Sequence, residues 1–215
     1  MDNLLSTFIR SIFVDNMIFA YYLGMCSYLA VSKNVKTALG LGLAVTFVQV
    51  CTLPINYLLE NYVLKEGALA WLGAGFQDVN LSFLAFILFI AVIASFVQLV
   101  EMVIEKFAPA LYSSLGIFLP LIAVNCAIMG ASLFMQQRVL MDPATSTQAI
   151  SSVWDALVYA LGSGIGWLLA IVALAAIREK MAYTNVPKPL QGLGITFITV
   201  GLMAMAFMCF SGLKI

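Results

Sequence analysis

Histidine is absent from the 215 residues, and charged side chains make up only 9% of them. Without imidazole the chain lacks the usual general base and the commonest neutral metal ligand, which excludes a Ser–His–Asp triad and histidine-ligated metals. Ten basic residues are matched by ten acidic ones. That balance leaves no positive field to hold nucleic acid and no acidic tail to solvate a disordered segment. The shortage of charge excludes most: a water-soluble domain carries about 25% charged residues, and this chain has too few to coat itself. Its 63% hydrophobic content and mean hydropathy of +1.06 place it in a lipid bilayer.

A helix needs about 20 apolar residues to cross a hydrocarbon core about 30 Å thick. Five stretches meet that requirement and a sixth is shorter and interrupted; they lie at 12–32, 38–59, 81–100, 111–135, 153–177 and 190–211. The expected fold class is an all-α integral membrane protein with six transmembrane helices. The N-terminus has no small-residue cleavage pattern after a basic start, so it is not read as a signal peptide. Basic residues are retained on the cytoplasmic side. Lys33, Lys36, Lys106, Arg178, Lys180 and Lys188 fall in short connections on one side, against Arg10, Lys65, Arg138 and Lys214 on the other. Both termini are therefore expected to be periplasmic.

An offset of 100 aligns Asn16-Met17-Ile18-Phe19 through Cys26 with Gly116-Ile117-Phe118-Leu119 through Cys126, and Ser32 with Ser132. Each half then holds three spans, 1–106 and 107–215, within one membrane domain. An odd number of spans forces the second half into the opposite orientation, the geometry of inverted repeats whose site lies near the bilayer midplane. The opening span of each half is irregular. Arg10 and Asp15 precede a short apolar run in the first, and Gly116, Pro120, Asn125 and Gly130 interrupt the second. Both spans are expected to be broken helices.

Four cysteines remain as candidates for soft-metal or redox chemistry: Cys26, Cys51, Cys126 and Cys209. Cys26 and Cys126 occupy equivalent repeat positions; Cys51 and Cys209 do not, and read as packing residues. The matched pair has three readings: buried small hydrophobes, a disulfide, or thiolate ligands to a metal. A two-iron cluster takes four thiolates, so two ligands would have to come from another chain. Gly162-Ser163-Gly164 and Gly166 lie inside a span and read as small residues for close helix packing. They are not a dinucleotide loop, which needs a strand and a helix around it.

The segments Gly24-Met25-Cys26, Leu29-Ala30-Val31-Ser32-Lys33, Leu115-Gly116-Ile117-Phe118-Leu119-Pro120 and Val124-Asn125-Cys126-Ala127-Ile128 resemble the E-type family of membrane proteins from bacterial sodium-translocating NADH:quinone reductases. Gly162 through Trp167, Ile177-Arg178-Glu179-Lys180 and Gly192 through Phe197 extend the resemblance to nearly the whole chain. Asp142 to Ser152 reads as an insertion and Ala70 to Asp78 as a second exception. The resemblance implies pairing with a homologous D-type protein of opposite topology, in the bacterial inner membrane, within a six-protein complex that also contains A-, B-, C- and F-type components. It implies that Cys26 and Cys126, with two cysteines of the D-type partner, bind a 2Fe–2S cluster that relays electrons from NADH towards flavins and quinone. Flavin and NAD would be bound by other components, and Na+ would pass through the complex. The related A-type component of the Rnf complex, a ferredoxin:NAD+ reductase, shares the Leu-Gly-Ile-Phe-Leu-Pro-Leu core. A secondary transporter with structural cysteines is the alternative from a different class.

Glu101 ends the third span on the expected cytoplasmic side, with Gln98 and Glu105 on the same helical face. One reading is an interfacial carboxylate in water. The other, strengthened by the resemblance, is that it gathers Na+ at the cytoplasmic entrance. Asp15 is expected to pair locally with Arg10.

Overall fold

The computed structural model describes residues 2–64, 82–107, 122–123, 125–141, 149–184 and 187–212. Among them every regular element is helical. Seven α-helices follow in order: α1 (Asp2–Phe13), α2 (Met25–Val31), α3 (Val35–Leu59), α4 (Ala85–Phe107), α5 (Cys126–Val139), α6 (Val153–Met181) and α7 (Leu193–Met208). Three segments are long and apolar enough to cross a membrane: Val35–Leu64, Ala85–Val103 and Val153–Met181. The 29 residues of α6 span about 43 Å, more than the hydrocarbon thickness.

The antiparallel pair α3 and α6 forms the centre. Gln49 meets Ser163, and Thr46 and Gly42 meet Gly164 and Leu168 in turn. The small residues of α6 make this possible. A Cβ at Gly164 would fall 2.8 Å from Thr46 Cγ2, and Cβ atoms at Gly162 and Gly166 would each fall 2.9 Å from a backbone oxygen of α1, Phe8 O and Ile12 O. The glycine series thus seats α1 on one side of α6 and α3 on the other, the packing role read from the sequence. A capping box starts α6, with Ser152 accepting from Trp154 N and Asp155 accepting from Ser152 N. The buried aromatics Tyr28, Tyr159 and Trp167 and the aliphatics Leu41, Val45, Ile128, Ile171 and Leu174 fill the space between the helices.

Four of the six expected spans correspond to described helices, with shifted ends. The second, third and fifth become α3, α4 and α6. The sixth becomes α7, which is only 16 residues long before a 3-10 turn. The first span is not one helix: α1 ends at Phe13, turns occupy 14–24, and α2 has just seven residues. Asn16 holds this break. Its Nδ2 donates to Ile12 O (3.0 Å) and Gly166 O (2.9 Å), and its Oδ1 accepts from Ile18 N (3.0 Å). The bonds to Ile12 O and Ile18 N satisfy backbone groups that a continuous helix would have paired internally, and the bond to Gly166 O ties the break to α6. Residues 111–121 of the fourth span, with Gly116 and Pro120, and Val124 lie outside the described residues, as do Ala70 to Asp78 and residues 142–148 of the insertion.

Ion pairs brace the break. Asp15 Oδ2 accepts from Arg10 Nε (3.2 Å), the local pair expected, and also from Arg138 Nη2 (2.8 Å) at the end of α5. The Arg138 guanidinium lies 4.5 Å from the centre of the Tyr159 ring. A planar cation held by a carboxylate and an aromatic face is well suited to burial, and Arg138 is buried.

Candidate functional site

Cys26 is the second residue of α2 and Cys126 the first of α5. Each therefore opens a helix after irregular backbone. Gly24 precedes α2 in the left-handed region at φ 82°, where a side chain is disfavoured. Asn125 precedes α5 and caps it, its Oδ1 accepting from Ala127 N at 3.0 Å.

The two helix starts meet. A Cβ at Gly24 would fall 2.8 Å from Asn125 Oδ1, 2.9 Å from the Ala127 Cβ and 2.9 Å from Trp167 Nε1. Gly24 and Asn125 are thus in van der Waals contact, and each stands next to or near a cysteine in sequence. Tyr21 and Phe134 extend the contact with ring centres 4.3 Å apart. The other end of α2 is fixed by Arg178, whose Nη1 donates to Leu29 O (3.0 Å) and Ser32 Oγ (2.7 Å). A seven-residue helix has little stability of its own; these partners position it.

Both thiols are exposed on the surface of this chain and neither forms a disulfide. Burial as small hydrophobes within the chain is thereby set aside. Two donors near the Gly24 turn, Asn125 Nδ2 and Trp167 Nε1, are buried without an acceptor. Unpaired buried donors cost free energy. Among the described residues no group of three or more His, Cys, Asp or Glu side chains converges. A mainly apolar cavity of about 520 Å³ opens beside Cys126, lined by Leu23, Ile90, Ile93, Ala123, Met129 and Phe134 among others.

The remaining sequence candidates lie elsewhere. Cys51 is half-buried on α3, and Cys209 is exposed at the end of α7. Glu101 continues the row Ala85, Phe89, Ile93 and Val97, by which α4 packs, for one further four-residue step; it is half-buried, while Gln98 and Glu105 are exposed. Eight residues beyond Ile93, it stands about 12 Å farther along the helix. Nothing in the sequence pattern singled out Trp167, or the contact of Gly24 with Asn125. Only the placing of Gly24 two residues before Cys26 and of Asn125 directly before Cys126 hinted at the contact.

Apolar spans, a chain break that leads into the Cys26 helix and the start of the Cys126 helix against it define a multi-helix membrane protein with two surface thiols. The sequence profile described as "Rnf-Nqr subunit, membrane protein" matches residues 4–214, and the chain belongs to that family. Relatives named as the E subunit of Na(+)-translocating NADH-quinone reductase are similar over their full length. The one from Azotobacter vinelandii is 53% identical over 215 residues and that from Maridesulfovibrio salexigens 53% over 214, with all of each chain covered. A relative of the same name from Rhodopirellula baltica is 51% identical over 223 residues, again with both chains covered.

Proposed function

We propose that this chain is the E-type membrane component of a sodium-translocating NADH:quinone reductase, and that Cys26 and Cys126 are its two ligands to an iron–sulfur centre shared with a homologous D-type partner. The observation that carries this reading is the contact of Gly24 with Asn125, which brings the two cysteine-bearing helix starts together with both thiols outward. The full-length likeness to E-type relatives supports the assignment to that complex. The donor set fits: soft thiolates favour iron–sulfur chemistry, and Asn125 Nδ2 and Trp167 Nε1, near the Gly24 turn, are unspent buried donors. Hydrogen bonds to cluster sulfur are one of the means by which a protein sets a potential.

In this reading the halves 1–106 and 107–215 are inverted repeats, with α2 and α5 as equivalent half-helices near the bilayer midplane. The D-type partner completes the ligand set, and the A-, B-, C- and F-type components carry the remaining steps between NADH and quinone. The group supplies one-electron transfer; this chain holds it, orients it and shields it with apolar side chains. The multi-pass chain lies in the inner membrane with both termini periplasmic, consistent with the bias of its basic residues.

The test is protection. In the purified, iron-loaded complex, Cys26 and Cys126 resist a membrane-permeant maleimide, and both become labelled after iron is removed with a reductant and chelator, as located by mass spectrometry. Labelling of either one in the iron-loaded complex contradicts its assignment. Glu101 is proposed to collect Na+ at the cytoplasmic end of α4. Glu101→Gln is expected to raise the Na+ concentration needed for half-maximal turnover several-fold, and an unchanged requirement removes Glu101 from the path.

A further inference from the structure

We propose that the cavity between the end of α6 and the start of α7 binds the phosphate of an anionic phospholipid, with Arg178 as its cationic partner. This site is separate from the cysteine pair and from Glu101.

Two segments that the cysteine site does not use, 177–180 and 192–197, meet at this cavity. It measures about 260 Å³, with Arg178 and Thr184 supplying polar groups and Met181, Ala182 and Ile195 apolar ones. Arg178 is half-buried, so its charge is partly withdrawn from water. Its Nη1 donates to Leu29 O at 3.0 Å and to Ser32 Oγ at 2.7 Å. A guanidinium carries its donors in a planar fork, and Nη2 and Nε have no partner among the described residues. No carboxylate among the described residues lies within 4.0 Å of it either. A half-buried cation with open donors and no counter-ion in its own chain recruits an anion from outside.

The charge around the cavity has the same sign. Lys33 and Lys36 flank the start of α3, beside the Ser32 that Arg178 holds, and Lys180 follows two residues on; Glu179 is the last acidic residue in the sequence.

Depth selects the anion. The 29 residues of α6 span about 43 Å against a hydrocarbon core of about 30 Å, so its ends stand in the headgroup layer. Arg178 lies three residues before the last residue of α6, about 4.5 Å along the axis. Tyr183, just beyond, is almost fully exposed, and tyrosine is enriched where a bilayer meets water. The abundant anion at that level is the phospholipid phosphate, whose oxygens match the guanidinium fork. Met181, Ala182 and Ile195 give the glycerol and upper acyl chain an apolar wall. Binding also bears on α2. Arg178 holds the far end of that helix through Leu29, three residues after Cys26, and a phosphate on the open edge of the guanidinium keeps Arg178 in that pose.

A phosphate oxygen on a guanidinium is chemistry that a lipid headgroup and inorganic phosphate share, and the test separates them. The purified, assembled complex containing this chain is labelled with a phosphatidylglycerol that carries a photoreactive diazirine beside its headgroup, and labelled peptides are located by mass spectrometry. Label is expected within 178–184 or 191–196. Excess unlabelled phosphatidylglycerol is expected to remove it, whereas diacylglycerol of the same chains and inorganic phosphate at the same concentration are not; removal by inorganic phosphate overturns the lipid assignment. Arg178→Gln is expected to raise the lipid concentration for half-maximal labelling by about tenfold, as loss of a charge-assisted hydrogen bond requires. Ala182 is exposed, with helical backbone angles, so Ala182→Glu sets a carboxylate one turn beyond Arg178 while leaving the bonds to α2 in place. It is expected to weaken labelling as Arg178→Gln does, and Ala182→Gln, of the same size without the charge, is expected to label as wild type. Absence of label in these segments, or wild-type labelling of both Arg178→Gln and Ala182→Glu, overturns the site. Should Arg178→Gln fail to assemble, the two Ala182 variants decide alone. Labelling is read without turnover or iron, so its outcome is independent of the cysteine assignment.

Discussion

Gly24→Ala is expected to destabilise the chain by roughly 2–5 kcal/mol, the sum of a left-handed backbone cost of about 1–2 kcal/mol and an overpacking cost of about 1–3 kcal/mol. The first arises because Gly24 holds φ at 82°. The second arises because the new methyl group would lie under 3.0 Å from three atoms, none of which can retreat cheaply. Asn125 Oδ1 is fixed by its cap on Ala127, the Ala127 Cβ moves only with α5, and the Trp167 ring is fully buried. The methyl group must therefore push the start of α2 away from the start of α5. Loss of iron should accompany the loss of stability, because the two thiols would no longer share one geometry. Thermal unfolding of the purified complex with iron determined in parallel checks this. A variant with wild-type stability and wild-type iron would show that the contact of Gly24 with Asn125 does not organise the site.

Cys26→Ala and Cys126→Ala are each expected to abolish NADH-driven quinone reduction while leaving the complex assembled. If the two thiolates belong to the proposed shared four-thiolate group, removing one leaves an incomplete ligand set, and electron transfer through the membrane then lacks its proposed relay. Because both thiols are exposed on this chain, their replacement creates no internal cavity, so stability of the isolated fold should change little. That combination of intact assembly and lost electron transfer distinguishes ligands from packing residues. Cys51→Ala and Cys209→Ala serve as controls and should retain quinone reduction. NADH oxidation by an artificial acceptor that intercepts electrons before the membrane should persist in all four variants.

Much of the membrane architecture was legible because hydropathy is a property of long windows. The stretches 38–59, 81–100 and 153–177 became α3, α4 and α6 with ends moved by a few residues. Helix ends depend on caps and tertiary partners, such as the Ser152–Asp155 box, that a hydropathy window does not register. The break between α1 and α2 was signalled by Arg10, Asp15 and the short apolar run after them. Its cause, Asn16 bonding across to Gly166, involves residues 150 apart and could not be read locally.

The site divides in the same way. The offset of 100 singled out Cys26 and Cys126, since matched positions are visible in a string of letters. That Gly24 touches Asn125 and Trp167 required the packing of three helices, and no spacing rule encodes it. The opposite holds on α3, where Gln49, Thr52, Asn56 and Glu60 recur at helical spacing in the sequence but only the packing of the helices buries all four.

The most direct test of the central claim is the iron and acid-labile sulfide bound per purified complex, compared between wild type and the double variant Cys26→Ala/Cys126→Ala. The account predicts that the double variant lacks about two iron and two sulfide atoms relative to wild type, the content of one two-iron cluster, with every component of the complex still present. Equal iron and sulfide in the two preparations would contradict it.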